Sequence, residues 1–462
     1  MSITSWEFYA LLAATVLGLV VVPPGARKAV LLIASAAYYF GVDASSAAIT
    51  LAVIFCNYLV LRALLGQTNE TVRERIYLAS VLFNVAVFVL LKLAFEPAPG
   101  AEARAWEIAG LAIGYPLGFS FVILMLHAAV TDAYSRKYVP TGKAGTFFLF
   151  AGFFPYVTAG PIERLEHMER QLDAPRRPGG EDIRAGLNLI ALGLVKKLVA
   201  ANRLEPYVDA VFAGNEVYSA GTVLLAIALN AAWVYCDFSA YTDIARGSAR
   251  CLGIDVRINF DKPFAARSVT DFWRRWHISF SNWLRDYLFM PLAFTFGRWP
   301  RAGVSLALLI TFLLCGFWHR ATATFIAFGL LHGGAMALET RFAVTRRLSR
   351  LGFAGALVAH GYTLLFLALT ILLFSATDLR HASEILERTV ASPAIPSPTE
   401  LAAYKGGVIF VLMVSSIAIW QAFEWAHRRL APRHGVPFLL AAACAVLFMG
   451  KSGGADFVYA QF

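Results

Sequence analysis

FWRRWHISFSNWLRDYL, residues 272–288, is the stretch on which the reading of this chain turns. On a 3.6-residue period Trp273, Trp276, Phe280, Trp283 and Tyr287 fall on one aromatic stripe, and Arg274, His277, Ser281 and Arg285 on a polar one. The spacing predicts a single helix. It would bury its aromatic face among other helices or in lipid and turn a histidine and two arginines toward something charged. The same mixture suits an interfacial membrane anchor, because Trp and Arg both favour the headgroup layer.

On both sides of this stretch the chain is apolar. Its 462 residues are 58% hydrophobic and only 15% charged, where a soluble domain carries about a quarter charged residues. A β-barrel would show short alternating strands instead of long apolar runs. The expected class is therefore an all-α, polytopic membrane protein. Apolar runs suited to crossing or entering a bilayer fall near 6–22, 29–41, 45–65, 76–95, 108–130, 185–201, 220–238, 303–317, 322–340, 352–375, 405–424 and 436–450,. The second is short enough for a half-span. Residues 146–164 are apolar but interrupted by Pro155, Gly160 and Pro161, which predicts a re-entrant or kinked segment. About eleven membrane-embedded helices are expected. The Pro/Ser-rich 391–400 reads as an exposed loop. Paired broken helices and repeat halves of the inverted-repeat transporters are missing from the sequence. One membrane domain over 1–462 is expected, with N-terminal helices to 150 and a motif-bearing core from 151. The first apolar stretch has no basic segment before it and no clear cleavage site after it, so it reads as a retained helix.

The net charge of +10 resides mainly in the connections. In a membrane protein that reports orientation, and a nucleic-acid partner is not expected. Basic loops could also attract an anionic nucleotide such as a CoA, which charge alone does not show. The five cysteines, Cys56, Cys236, Cys251, Cys315 and Cys444, have no paired spacing, so neither a disulfide framework nor a zinc site is expected. With no close His/Asp/Glu cluster in the sequence, no bound metal is expected.

His319 is the sharpest single residue. It ends an apolar run, and an ionisable group at membrane depth is a functional candidate by default. The competing reading is a histidine hydrogen-bonded between helices for packing. His332, thirteen residues on, would lie about 20 Å away along a continuous helix and reads as a packing residue. His277, on a different helix, could approach His319. His127, with Asp132 nearby, suits an interhelical hydrogen bond. His167, His360, His381, His427 and His434 lack a constellation. The chain has no GxSxG elbow, P-loop, HExxH or dinucleotide fingerprint. An intramembrane enzyme and a proton-coupled transporter both remain open on these residues.

Longer segments carry a resemblance. FFPYVTAGPIER (153–164), YCDFSAYTDIARGSARCLGI (235–254), INFDKPFAARSVTDFWRRWHISFSNWLRDYLFMPL (258–292), LLCGFWHRATATFIAFGLLHG (313–333) and FVYAQF (457–462) occur in one order. Together they resemble the membrane-bound O-acyltransferase family, in its bacterial branch that includes the membrane subunit of alginate O-acetylation. The first 150 residues match in hydropathy alone. The resemblance implies a ring of helices around a thin centre, with a tunnel where a cytosolic acyl donor meets an acceptor from outside. It implies His319 as the essential catalytic histidine and His277 at the partner position. The tunnel lining it implies includes Arg274, Trp276, Ser281, Arg285, Asp286, Cys315 and Trp318, with Arg274 and Arg285 toward the polar donor or the mouth. Two departures stand out: Arg320 follows the histidine where the family usually has Gly, and AFTFGRW (293–299) replaces a GGNR-like run.

The implied activity is transfer of an acyl group, acetyl first, from a thioester such as acetyl-CoA toward an extracytoplasmic polysaccharide. The implied setting is the bacterial inner membrane, with lipid around the chain, no permanently bound cofactor, and a periplasmic acetyltransferase partner. Alternatives are D-alanyl transfer from a phosphopantetheine carrier protein to teichoic acid and, in a different class, a proton-coupled transporter or flippase.

Overall fold

The computed structural model describes residues 2–95, 106–108, 111–214, 218–299, 302–392 and 435–450, with a few isolated positions between 422 and 429. The expected span 405–424, the loop 391–400 and the motif 457–462 lie wholly or mostly outside the described residues. The regular structure described is helical apart from a two-stranded ladder, β1 (Trp106–Ile108) and β2 (Leu111–Ile113). The chain forms two compact units.

The first unit comprises the described residues among 1–191 and 241–258. It opens with α1 (Trp6–Val21), α2 (Arg27–Val42), α3 (Ala44–Gly66) and α4 (Glu70–Phe95). Ser5 and Asp43 cap α1 and α3, their side chains accepting from Phe8 N–H at 3.4 Å and Ser45 N–H at 3.0 Å, as short polar side chains do at helix starts. Helix α4 is long and apolar enough to cross a membrane, yet Leu82, Val85, Leu90 and Leu93 are exposed along it. Such a face belongs in lipid.

The expected span at 108–130 begins later than the hydropathy indicates. After β2 the chain turns at Pro116 and Gly118, and α5 covers Phe119–Tyr134. Gly118 has φ +66°, and a Cβ there would come within 2.1 Å of the Val157 carbonyl oxygen. Only glycine fits that approach, so helix cannot run through it. The kinked segment expected at 146–164 is observed: α6 (Ala144–Gly152) stops before Phe153, and the following turns through Gly160 are buried. Helix α7 (Leu165–Asp173) and α8 (Gly180–Leu194) follow.

The second unit comprises 192–240 and the described residues from 259 onward. A π-helical turn, Val195–Ala201, leads into α9 (Asn202–Ala213) and α10 (Ala220–Cys251), whose last residues belong to the first unit. Then come α11 (Val269–Arg275), α12 (Ile278–Leu284), α13 (Met290–Thr295), α14 (Gly303–His319), α15 (Ala323–Phe342), α16 (Val344–Ser349), α17 (Gly352–Ser375), α18 (Leu379–Ala391) and α19 (Gly435–Met449). Leu204, Val208, Val211, Val223, Leu372 and Ile385 form a buried core shared by α9, α10, α17 and α18.

Helices α14 and α15 form a close hairpin. A Cβ on Gly316 would lie 2.1 Å from the Phe325 carbonyl oxygen, and one on Gly329 2.2 Å from that of Phe312. Small residues that let backbones touch are the usual means of joining helices in a bilayer, where no hydrophobic drive acts between them. Among the described residues four helices, beginning at Ala47, Glu70, Ala220 and Gly352, are long and apolar enough to cross a membrane. Shorter apolar helices, α1, α5 and α14 among them, accompany these four.

Candidate active site

The stretch 272–288 is not one helix. Helix α11 ends at Arg275, α12 starts at Ile278, and Arg285–Phe289 form a π-helical turn. Between α11 and α12 stands His277 with φ +43° and ψ +52°, a left-handed conformation uncommon for a residue with a side chain,. No glycine or proline in the stretch announces this break. Its cause lies earlier in the chain. In a continuous helix the Ile278 N–H would bond to Arg274; instead it donates to the Asn259 carbonyl at 2.9 Å, and Asp261 N–H donates to the Arg275 carbonyl at 2.9 Å. The 259–261 segment thus supplies partners in place of the helix. The aromatic stripe stays buried across the break, whereas the polar stripe divides: His277 is buried, Arg274 and Arg285 are exposed, and Ser281 is half-buried.

Asn259 also holds the histidine. Its Oδ1 accepts from Ser279 N–H at 3.1 Å and Ser279 Oγ at 2.9 Å, and lies 3.1 Å from His277 Nδ1. The side chain thereby caps α12 from a distant position, as an Asn at the N-cap would locally.

His319 is the last residue of α14 and 2% exposed. Its ring is walled by Trp318 at 4.7 Å, Phe374 at 5.0 Å, Phe325 at 5.8 Å and Phe328 at 6.3 Å between centroids. Phe280 joins the two histidines, its ring 4.9 Å from that of His277 and 6.0 Å from that of His319. Trp318 stacks on the same phenyl ring at 4.4 Å, and Phe238 meets His277 edge-on at 4.8 Å. Two imidazoles therefore flank one phenyl ring in a largely aromatic enclosure.

The other candidates are distributed differently. Arg274, Ser281 and Arg285 line a separate cavity of about 380 Å³, with Trp273, Thr311 and Phe312 among its walls. Among the described residues neither His277 nor His319 lines that cavity. Asp286 pairs with Arg285 at 2.8 Å, a half-exposed pair that water screens,. Trp276 is buried, stacked on Phe272 at 5.3 Å. Cys315 is fully buried one turn before His319. Arg320 is extended, just past the helix, its N–H bonded to the Gly316 carbonyl at 3.1 Å. His332 is held at both nitrogens: Trp273 Nε1–H donates to Nδ1 at 3.1 Å, and Nε2 lies 3.0 Å from Thr370 Oγ1.

Four features escape a reading by periodicity. Asn259 sits in the quoted INFDKPF without a distinguishing pattern. Glu339 on α15 accepts from Val269 N–H at 2.7 Å and Thr270 N–H at 3.1 Å, capping α11 from another helix. Lys197 and Asp237 form a buried ion pair at 2.7 Å; their only signal is a charge within an apolar run. His167, which had no constellation in sequence, meets the buried Glu163 at 2.9 Å.

Residues 44–375 match the family model described as MBOAT, membrane-bound O-acyltransferase family. The chain belongs to the membrane-bound O-acyltransferase family. It is similar to the "Probable alginate O-acetylase AlgI" of Azotobacter vinelandii, 34% identical over 254 residues, which are 54% of this chain and 50% of that protein. It is also similar to the "Peptidoglycan O-acetyltransferase" of Helicobacter pylori, 29% identical over 368 residues, covering 67% of this chain and 69% of that protein. The "Teichoic acid D-alanyltransferase" of Bacillus subtilis is 30% identical over 250 residues, 51% of this chain and 60% of that protein. The chain spans about half the length of the Azotobacter relative. The histidine pair and the residues around it, Phe238, Asn259, Phe280, Trp318 and Phe374, all lie within the family match at 44–375.

Proposed function

We propose that this membrane protein is an acyltransferase that moves an acyl group, acetyl in the first instance, from a cytosolic thioester such as acetyl-CoA across the inner membrane toward an extracytoplasmic polysaccharide. The observation that carries the reading is the placement of His277 and His319 on either side of Phe280. A sugar hydroxyl is too weak an acid to ionise alone, so its attack on a thioester needs a base within hydrogen-bond reach. His319 fills that role. The hydroxyl oxygen bonds to the acyl carbon, the carbon–sulfur bond breaks, and the hydroxyl proton passes through the imidazole to the departing thiolate. His277 polarises the carbonyl or orients His319. The aromatic walls keep out water, which would otherwise take the acyl group.

The alginate and peptidoglycan relatives are both named for O-acetyl transfer, and those names support acetyl over D-alanine. If the acyl group goes on to a periplasmic acetyltransferase partner, the immediate acceptor is a protein or small carrier and not the polymer itself. No permanently bound cofactor enters this reading.

The test uses purified protein in nanodiscs with acetyl-labelled acetyl-CoA, wild type beside His319→Ala. Thioester cleavage and passage of label to added polysaccharide or periplasmic extract should fall by about 10²–10⁴-fold in the variant. Equal turnover in both proteins would remove His319 from the mechanism. Turnover only with a D-alanyl carrier protein would move the donor to the teichoic acid reading, and transport of label without acyl transfer would replace the enzyme reading altogether.

A further inference from the structure

Asn259 Oδ1 is in contact with a donor of fixed identity. The backbone N–H of Ser279 can only donate, so the atom 3.1 Å from it is an acceptor and the amide stands with its oxygen toward α12,. That same oxygen is the partner of His277 Nδ1 at 3.1 Å. Nδ1 must then carry the proton, and in a neutral imidazole the lone pair falls on Nε2. The opposite arrangement holds at His332: the Trp273 indole N–H can only donate, so Nδ1 of His332 is the acceptor nitrogen,. Two buried histidines of this unit are thus set in opposite tautomers by neighbours whose donor or acceptor character is fixed.

We infer that Asn259 is the positioning residue of the site, fixing His277 as the Nδ1–H tautomer so that Nε2 is its proton-accepting nitrogen. The inference rests on the proposed reading and narrows it. A neutral ring held this way has no hydrogen on Nε2 to give to a carbonyl, so His277 does not polarise the thioester. Nε2 can only accept a hydrogen bond, which leaves His277 the orienting role. Asn259 also keeps the ring in place through the backbone: its carbonyl takes the Ile278 N–H and its side chain caps α12 at Ser279, the two bonds immediately after the left-handed His277.

The experiment is nitrogen-15 and carbon-13 NMR of histidine-labelled protein in nanodiscs, with His277→Gln identifying the His277 signals. The wild type should show a protonated Nδ1 and an unprotonated Nε2. Protonation at Nε2, alone or at both nitrogens, would overturn the inference without any variant. Asn259→Asp keeps an acceptor in place and should keep Nδ1 protonated. Asn259→Leu should lose that preference, and its kcat for acyl transfer should fall about 100-fold with little change in KM, as when a supporting group beyond the reacting atoms is removed. Ser279→Ala takes away one other bond to the same oxygen and should leave the tautomer unchanged. A tautomer retained in Asn259→Leu, or lost in Ser279→Ala, would refute Asn259 as its cause. The NMR readout needs no substrate, so it stands or falls separately from the acyltransferase reading.

Discussion

Trp273 donates its indole N–H to Nδ1 of His332 at 3.1 Å, while Thr370 Oγ1 lies 3.0 Å from the other ring nitrogen. The bonds tie α11, α15 and α17 together through one imidazole. Replacing His332 with Ala removes the partner of a buried indole and opens a cavity among Phe312, Phe328 and Phe366, whose rings now pack on the histidine. The expected loss is about 2–4 kcal/mol, read as a lower unfolding midpoint in detergent. Folded His332→Ala protein should keep far more acyl transfer than His319→Ala. Equal loss in the two variants would place His332 in the reaction.

Gly316 positions His319 through its lack of a side chain. A Cβ there would sit 2.1 Å from the Phe325 carbonyl oxygen, and carbonyl and α14 backbone cannot both stay where they are. Gly316→Ala should cost about 1–3 kcal/mol, the usual price of overpacking. Because His319 stands three residues on, with Phe325 in its wall, transfer should fall further than the stability loss alone explains. The check is turnover measured well below the variant's unfolding midpoint. A variant as active and stable as wild type would mean that the two helices do not meet this closely at Gly316.

The membrane class, most helix positions and His319 at the end of its helix are legible in the chain because apolar length and a terminal polar residue are local signals. The break at His277 is not. Nothing between Phe272 and Leu288 is a helix breaker, and the hydrogen bonds that divide α11 from α12 come from residues 259–261. Periodicity assumes that each N–H finds its partner four residues back, so it draws one helix through the site and spreads a polar stripe along it. Likewise Gly118 reads as a tolerable glycine in an apolar run until Val157 is seen against it. The burial of His277 and the separate cavity at Arg274 and Arg285 follow from the same long-range pairing.

Lys197 and Asp237 offer a test of buried charge. Their side chains are 7% and 0% exposed and 2.7 Å apart. Lys197→Met takes the nearest counter-ion from a buried carboxylate and should cost about 3–5 kcal/mol, whereas Lys197→Met with Asp237→Leu should recover most of that loss. Thermal unfolding of the two single variants and the double variant measures the coupling. Additive losses would show that the pair acts through its separate neighbours and not as a pair.

Asp182 gives a pH dependence outside the membrane-spanning helices. Hydrogen bonds from Arg176 are the main cause holding its carboxyl down at about 2, opposed by burial and helped by the Gly179 N–H at 2.9 Å and the charge of Arg250 at 3.0 Å. An unfolded Asp titrates near 4. The folded value is the lower one, so the unfolded state binds the proton first, and stability rises with pH across that interval. The contribution is complete above about pH 4 and is lost as pH falls toward about 2,. Asp182→Asn cannot titrate, so its unfolding midpoint should be lower than wild type at neutral pH and the two should converge on acidification. Parallel curves for the two proteins from neutral pH down through this window would show that Arg176 and Arg250 do not bias Asp182 toward its charged form.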